Sequence, residues 1–221
     1  MDLNFTGHFI TPIYFQEIEQ WAKPLNKACD KHIKDAKNRD KTFLKQRSKN
    51  LNKNIKDFGF SHHSLSLENL PEFKEIQDYV LKSSNKILDH MGYNLTNYNL
   101  FYTELWVQEF AKGGAGHHEA HIHYDNHISG FYFLKCSDRT SFPVFNDPRL
   151  GKTTCQLPEK NPADTTFASQ GIKFDIRPGT LILFPSYLQH LFPVDYGIDP
   201  FRFIHFNLQA VRKSITDKFK K

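Results

Sequence analysis

Residues 116–134 read GHHEAHIHYDNHISGFYFL and hold five of the chain's twelve histidines. His117, His118, His121, His123 and His127 share this window with Glu119 and Asp125 before it passes into an apolar run. Neutral imidazole and carboxylate suit a divalent transition metal, and an i, i+2 spacing on a strand points both side chains to one face. The stretch therefore reads as half of a metal site at the end of a strand. The rest of the site must come from elsewhere in the chain.

Working outward, Pro178–Gly179 is a turn signature, and TLILF (180–184) after it has the pattern of a buried strand. It runs into PSYLQH, which places His190 just beyond a strand end. Arg202 then opens RFIHFNL, flanked by Phe201 and Phe203. Arginine is suited to a two-pronged grip on a carboxylate, and an interior-facing one needs an anion to be tolerable. His205, an odd number of residues from Arg202, is expected to face the other way.

Upstream, residues 98–110 (YNLFYTELWVQEF) have the aromatic and β-branched enrichment of a strand. Residues 129–135, 142–145 and 201–208 read as further strands, and the polar, proline-bearing segment 146–166 as a long loop that covers a site. Before residue 97 the period changes. Phe15, Ile18, Trp21, Ala22, Leu25, Cys29 and Ile33 mark one amphipathic helix, kinked or split at Pro24; Phe73, Ile76, Tyr79, Val80, Ile87, Leu88 and Met91 mark a second, ended near Gly92. An N-terminal strand broken at Pro12 precedes them. Two helices followed by about eight short strands predict an α+β protein on a jelly roll, or double-stranded β-helix, with the helices packed on one sheet.

At 221 residues the chain is expected to be one domain, with a helical support region over 1–97, a jelly-roll core over 98–210 and a basic tail over 211–221. Twenty-one phenylalanines predict an aromatic interior. The three cysteines, Cys29, Cys136 and Cys155, lack CxxC spacing, which argues against a disulfide scaffold or a thiolate zinc site. The start has neither a basic nor an apolar leader region and no run is long enough to span a membrane, so a cytoplasmic protein without membrane partners is expected. The net charge of +5 is mild. Its excess in residues 41–56 lacks the interleaved aromatics that stack bases; it reads as a solvated surface loop, and nucleic acid is not an expected partner.

With these residues in place, the sequence resembles the 2-oxoglutarate/Fe(II)-dependent oxygenases. It is most similar to uncharacterised members with an H-x-H, then SGvyYL, then PG-x-L-x-lFPS-x-x-x-H, then a closing R-x-x-x-F-N. Here these are His121–His123, residues 129–134, residues 178–190, and Arg202 through Phe206 and Asn207. TPIY (11–14) and FNDPR (145–149) match as well. The resemblance implies Fe(II), with His190 as its distal ligand, and 2-oxoglutarate and O2 as cosubstrates, with Arg202 on the distal carboxylate of 2-oxoglutarate. The superfamily's His-x-carboxylate pattern matches His123 and Asp125; the narrower H-x-H pattern matches His121 and His123. Both pairings stand, and electrostatics favours Asp125, since a carboxylate lowers the charge of a ferrous site. Phe133 replaces a tyrosine common in relatives, a task that passes to Tyr132, Ser129 or Tyr102, with Asn207 also near the cosubstrate.

The reaction implied is oxidative decarboxylation of 2-oxoglutarate to succinate and CO2, coupled to hydroxylation of an unidentified substrate, with a peptidyl or amino-acid side chain preferred by analogy. A cupin-like metal enzyme would share the fold and have no use for Arg202. A non-catalytic binding module would keep the fold and lose the metal. HExxH, Walker, Rossmann and G-x-S-x-G signatures are absent from the sequence. The remaining histidines, His8, His32, His62, His63, His90, His117, His118 and His127, are expected to be surface or satisfied side chains.

Overall fold

The computed structural model describes residues 4, 6–154, 157–216 and 218. In chain order the elements are β1 (Tyr14–Glu17), α1 (Glu19–Asn50), β2 (Ser61–His63), α2 (Lys74–His90), β3 (Tyr98–Phe110), β4 (His118–His121), β5 (Ile128–Lys135), β6 (Val144–Asn146), β7 (Gly171–Lys173), β8 (Thr180–Pro185), β9 (His190–Phe192), β10 (Arg202–Arg212) and the short α3 (Lys213–Thr216). Short 3-10 turns precede α2 at Pro71–Phe73 and follow β6 at Leu150–Thr154.

The strands form two antiparallel sheets, a larger one in the order β1-β8-β5-β10-β3-β2 and a smaller one in the order β4-β9-β6-β7. This is the jelly-roll α+β architecture expected from the strand pattern. The N-terminal region supplies more than helices, because β1 and β2 form the two edges of the larger sheet.

Alternation along the strands divides the larger sheet into two faces. Its inner face carries Phe131 and Phe133 from β5, Ile182 and Phe184 from β8 and Phe203 from β10. They pack with Phe145 and Phe192 of the smaller sheet. The outer face carries Ile128, Tyr132 and Leu134, Leu181 and Leu183, and Ile204, Phe206 and Leu208. These rest on α1 and α2 through Leu25, Cys29 and Ile33 and through Ile76, Val80 and Leu88. Gly130 belongs to this layer, where the Ile182 carbonyl and the Phe206 ring leave no room for a Cβ.

Three local expectations are corrected. Pro24 does not split α1, which runs unbroken through it. The residue lies in the exposed second turn, where its missing N–H removes one hydrogen bond and its ring meets solvent. The stretch 40–50, read as loop, is the C-terminal third of α1: Lys and Gln are good helix formers, and the buried row Leu25, Cys29, Ile33 and Ala36 carries the helix beyond its apolar stripe. The N-terminal strand begins at Tyr14, after Pro12 rather than before it. Cys155 lies outside the described residues, as do the last residues of the basic tail.

Candidate metal centre

β4 and β9 are neighbours in the smaller sheet, with His121 opposite His190. Beyond His121 the chain leaves the strand, and two backbone hydrogen bonds clamp it to the end of β8: His123 N–H to the Ser186 carbonyl at 3.1 Å, and Ser186 N–H to the His127 carbonyl at 3.1 Å. This places the His123 ring 5.1 Å from His190 and 5.0 Å from His121, with His121 and His190 4.4 Å apart between ring centroids. One ligand atom from each lies within 4.8 Å of the others, close enough to share one ion.

Each ring is held through Nδ1. His190 Nδ1–H donates to the Leu188 carbonyl at 3.0 Å and His121 Nδ1–H to the Glu119 carbonyl at 2.7 Å. The Asn207 amide reaches His123 Nδ1 at 3.0 Å. Nε2 of His123 and of His190 are buried without any hydrogen-bond partner. A donating Nδ1–H with a free second nitrogen is what metal-ligating histidines show, and His190 shows it; on His123, where the Asn207 NH2 donates to Nδ1, Nε2 becomes free to ligate when the Asn207 amide turns its oxygen toward an Nδ1–H. Burial, reinforced by the neighbouring imidazoles, pushes the pKa of both His123 and His190 down to about 3, so their rings are neutral at pH 7. Three imidazoles converging in this way fit Fe(II) or a similar divalent ion.

Asp125 stands outside this group. The regular strand that would carry it round to the histidines has ended at His121, and Asp125 is an exposed turn residue with φ of 60°. Among the described residues, the group close enough to share one ion holds His121, His123 and His190 and does not hold Asp125.

The second layer lies on β3 and β10. Asn207 Nδ2 donates to Glu104 Oε2 at 2.6 Å, and its Oδ1 accepts from the Ser129 hydroxyl at 2.5 Å. Ser129 in turn meets Ser186 at 2.8 Å. His205 Nε2 lies 3.3 Å from Glu104, and its ring lies tilted between those of His123 and Trp106. Glu104, His123 and His205 form a second close group of ligand-type atoms, in which the Asn207 amide already satisfies Glu104 and His123. Trp106 then stacks on His63, and His118 lies between His63 and His121. Burial also depresses His118, to about 3, and His63, to about 4.

The residues named from sequence divide between the two sheet faces. Ser129 and Asn207 lie on the inner face beneath His123. Arg202 does not. It sits on the outer face, where its guanidinium meets Glu109 at 2.6 Å, Asp30 at 2.7 Å and the Asn26 side chain at 2.9 Å. Its expected role as an interior carboxylate grip is corrected by this geometry, because Phe201 and Phe203 take the inward positions and leave position 202 facing α1. Tyr132 and Tyr102 are also on the helix side, their hydroxyls donating to the carbonyls of Ile18 and Gln77, each at 2.7 Å. Conversely, His63 and His118, expected to be bland, line the inner cluster together with His205, which faces away from Arg202 as expected, and His62 is buried beside Asp40. The alternation Phe201, Phe203, His205, Asn207 was the available signal for His205.

The comparisons bear on this arrangement. Residues 104–197 match the family model described as "Putative 2OG-Fe(II) oxygenase". The chain is similar to the 2-oxoglutarate/Fe(II) oxygenases. Among solved structures, AviO1 from Streptomyces viridochromogenes Tue57 is similar in fold at 9% identity, with 90% of each chain covered and a TM-score of 0.56. A prolyl-4-hydroxylase from Pseudomonas putida is similar at 10% identity, with 90% of this chain and 93% of the other covered and a TM-score of 0.51. No curated protein sequence matches the chain. Fe(II), 2-oxoglutarate and O2 are the cofactors that go with the family match. The three histidines fit the metal. For 2-oxoglutarate the fit is partial: Ser129 and Asn207 offer polar groups beneath His123, while the inner wall beyond His190 is phenylalanine and the arginine named for the distal carboxylate faces the other way.

Proposed function

We propose that this protein is an Fe(II)- and 2-oxoglutarate-dependent dioxygenase with a three-histidine centre of His121, His123 and His190, hydroxylating a substrate C–H bond. The observation that supports this reading is the convergence of His123 and His190 on orphaned Nε2 atoms beside His121. Ferrous iron bound there would supply O2 activation, and three protein ligands leave coordination positions open for cosubstrate and O2. The chain's own residues do the positioning. Leu188 and Glu119 hold the rings through their carbonyls, Asn207 ties His123 to Glu104 and Ser129, and the phenylalanines behind His190 exclude water. His121 and His123 are partly exposed, so the centre opens toward the 117–125 side, where a substrate has access. A peptidyl or amino-acid side chain is our preferred substrate class; the relative from P. putida is named as a prolyl hydroxylase.

A second reading has its own support. With Arg202 engaged by Glu109 and Asp30 and the inner wall aromatic, a cupin-like metal enzyme that does not use 2-oxoglutarate accommodates the same residues. One experiment separates the two. Anaerobically iron-loaded protein is given 2-oxoglutarate and O2, and succinate is followed by NMR. Succinate formation that requires iron and disappears in His190→Ala supports the first reading; tight iron binding with no succinate formation rejects it for the second.

A further inference from the structure

The segments that carry the inner cluster are 61–63, 103–108, 117–127, 186–190 and 203–209. They hold Glu104, Glu119 and Asp125 and no lysine or arginine, in a chain whose 29 lysines and arginines outnumber its 24 aspartates and glutamates. Elsewhere carboxylates are matched by cations: Glu109 by Arg202 and Lys37, Asp147 by Arg149 and Lys152, Glu17 by Arg177. The surroundings of the metal centre are negative and have no such match.

Of the three carboxylates, Glu104 stands against the centre. It lies opposite Asn207 on the inner face of β3, and its carboxylate is within 4.8 Å of ligand atoms of His123 and His205. Asn207 Nδ2 and His205 Nε2 both meet Oε2; among the described residues Oε1 makes no hydrogen bond, and about half of the side chain is open to solvent. Metal binding deepens the need for a donor here. Ligation through His123 Nε2 calls for an Nδ1–H, to which the Asn207 amide turns its oxygen. Ser129 accommodates the turn, because its hydroxyl can accept from the amide and donate to Ser186. Glu104 does not, since an amide oxygen now faces Oε2 where the NH2 donated at 2.6 Å. Two acceptors so close need a donor that serves both.

We propose that the substrate carries a primary ammonium, as a lysyl side chain does, and that Glu104 is the specificity-determining residue that receives it. The ammonium donates to Glu104 and to the turned Asn207 oxygen while a C–H bond of the same side chain faces the open side of the centre. This rests on the metal reading above. An ammonium carries three donors on one point charge and can serve carboxylate and amide together; an arginine fork needs both carboxylate oxygens, and His205 holds Oε2. The exposed Tyr124 and Tyr187 directly follow His123 and Ser186, the two residues of the backbone clamp, and offer aromatic surface to the methylenes of such a side chain. In the reaction the substrate C–H, 2-oxoglutarate and O2 give C–OH, succinate and CO2. One oxygen atom enters the C–H bond and the other the new carboxylate of succinate, the C–H bond and the decarboxylation each supply two electrons, and the ammonium is unchanged.

The test is calorimetry of the full chain, loaded anaerobically with iron and 2-oxoglutarate so that binding is read without turnover. The probes are glycine pentapeptides whose central residue is lysine, arginine, Nε-acetyllysine, norleucine or glutamate. The lysine peptide is expected to bind about tenfold or more tighter than the norleucine and Nε-acetyllysine peptides, and tighter than the arginine peptide. Glu104→Gln should abolish this preference and Glu104→Lys should invert it toward the glutamate peptide, an inversion that a purely structural role does not produce. Glu119→Gln/Asp125→Asn should keep the lysine preference. Equal binding of lysine and norleucine, arginine preferred to lysine, or a lysine preference that survives Glu104→Gln or is lost in Glu119→Gln/Asp125→Asn overturns the inference and leaves the metal reading standing. A second iron equivalent held at Glu104 and His205 overturns it as well. Wild-type protein that binds no iron overturns the metal reading itself, and the inference with it.

Discussion

The two faces of β10 carry chemistry of the same polarity to different ends. On the outer face, Arg202 and Glu109 form an ion pair sealed under α1, both side chains nearly inaccessible. On the inner face, His205 and Asn207 sit beside His123 with nitrogen atoms directed at a site that opens to solvent. Outside, every donor of the arginine's neighbourhood has a protein partner; inside, two buried Nε2 atoms have none. Satisfied polar groups hold a fold together, and unsatisfied ones are places where a ligand completes the structure. One residue of strand register separates the two roles.

The largest break in this contrast should come from the inner ligands. His190→Ala is expected to lower Fe(II) affinity by roughly a thousandfold or more while leaving a folded protein, measured by anaerobic titration alongside circular dichroism. On the outer face the cost should be to the fold instead. Arg202→Ala leaves Glu109 buried against lysines alone and is expected to lose about 3–5 kcal/mol in urea unfolding, with iron affinity unchanged. If Arg202→Ala instead stays fully stable and raises the 2-oxoglutarate requirement, the outward assignment of Arg202 is wrong.

Asn207→Ala probes the layer beneath the metal. It should weaken iron binding by about 10–100-fold through loss of the His123 tether, a smaller effect than removing a ligand. Asp125→Ala should change iron affinity by no more than about twofold, the behaviour of an exposed residue away from the site. A large loss with Asp125→Ala would restore the His-x-carboxylate pairing.

The faces should also separate by pH. Burial holds His118, His123 and His190 near 3 and His63 near 4, while unfolded histidine titrates near 6.5. Below pH 6.5 the unfolded metal-free chain takes up protons that the folded chain refuses, so inner-face stability is present above that pH and drains away toward pH 3–4. On the outer face burial alone would raise Glu109, but Lys37 and Arg202 hold it below its ordinary 4.5; the Arg202 hydrogen bond likewise depresses Asp30 below 3.8. Their contribution is present above these values and is lost only as pH falls below them. Urea midpoints of metal-free protein between pH 8 and 5 should therefore fall chiefly through the inner face, and iron should restore them at the upper end of that range. Midpoints flat from pH 7 to 5 would contradict the buried, neutral state of the cluster.

Much of this was legible without coordinates. The 3.6-residue stripe of Leu25, Cys29 and Ile33, the aromatic strands and the turn at Pro178–Gly179 led to two helices on a jelly roll, because periodicity and turn chemistry are local properties. His121, His123 and His190 could be singled out by spacing and resemblance. The choice between His121 and Asp125 could not, since it depends on where β4 stops, and that is set by pairing with β9 and the clamp at Ser186. The roles of Arg202, Tyr132 and Tyr102 failed for a related reason. Alternation tells which residues share a face, but it does not say which face is inside.

What the sequence by itself determined, then, is the set of elements and the chemical kind of site: short strands after two helices, and histidines enough for a metal. The tertiary structure decided which side of β10 met the helices and which met the histidines. It also turned the lysines of residues 41–49 from a loop into part of a helix. The physical reason is common to both. The burial of a strand face, and the persistence of a helix past its own apolar stripe, are fixed by contacts with residues far away in the chain, which local pattern does not contain.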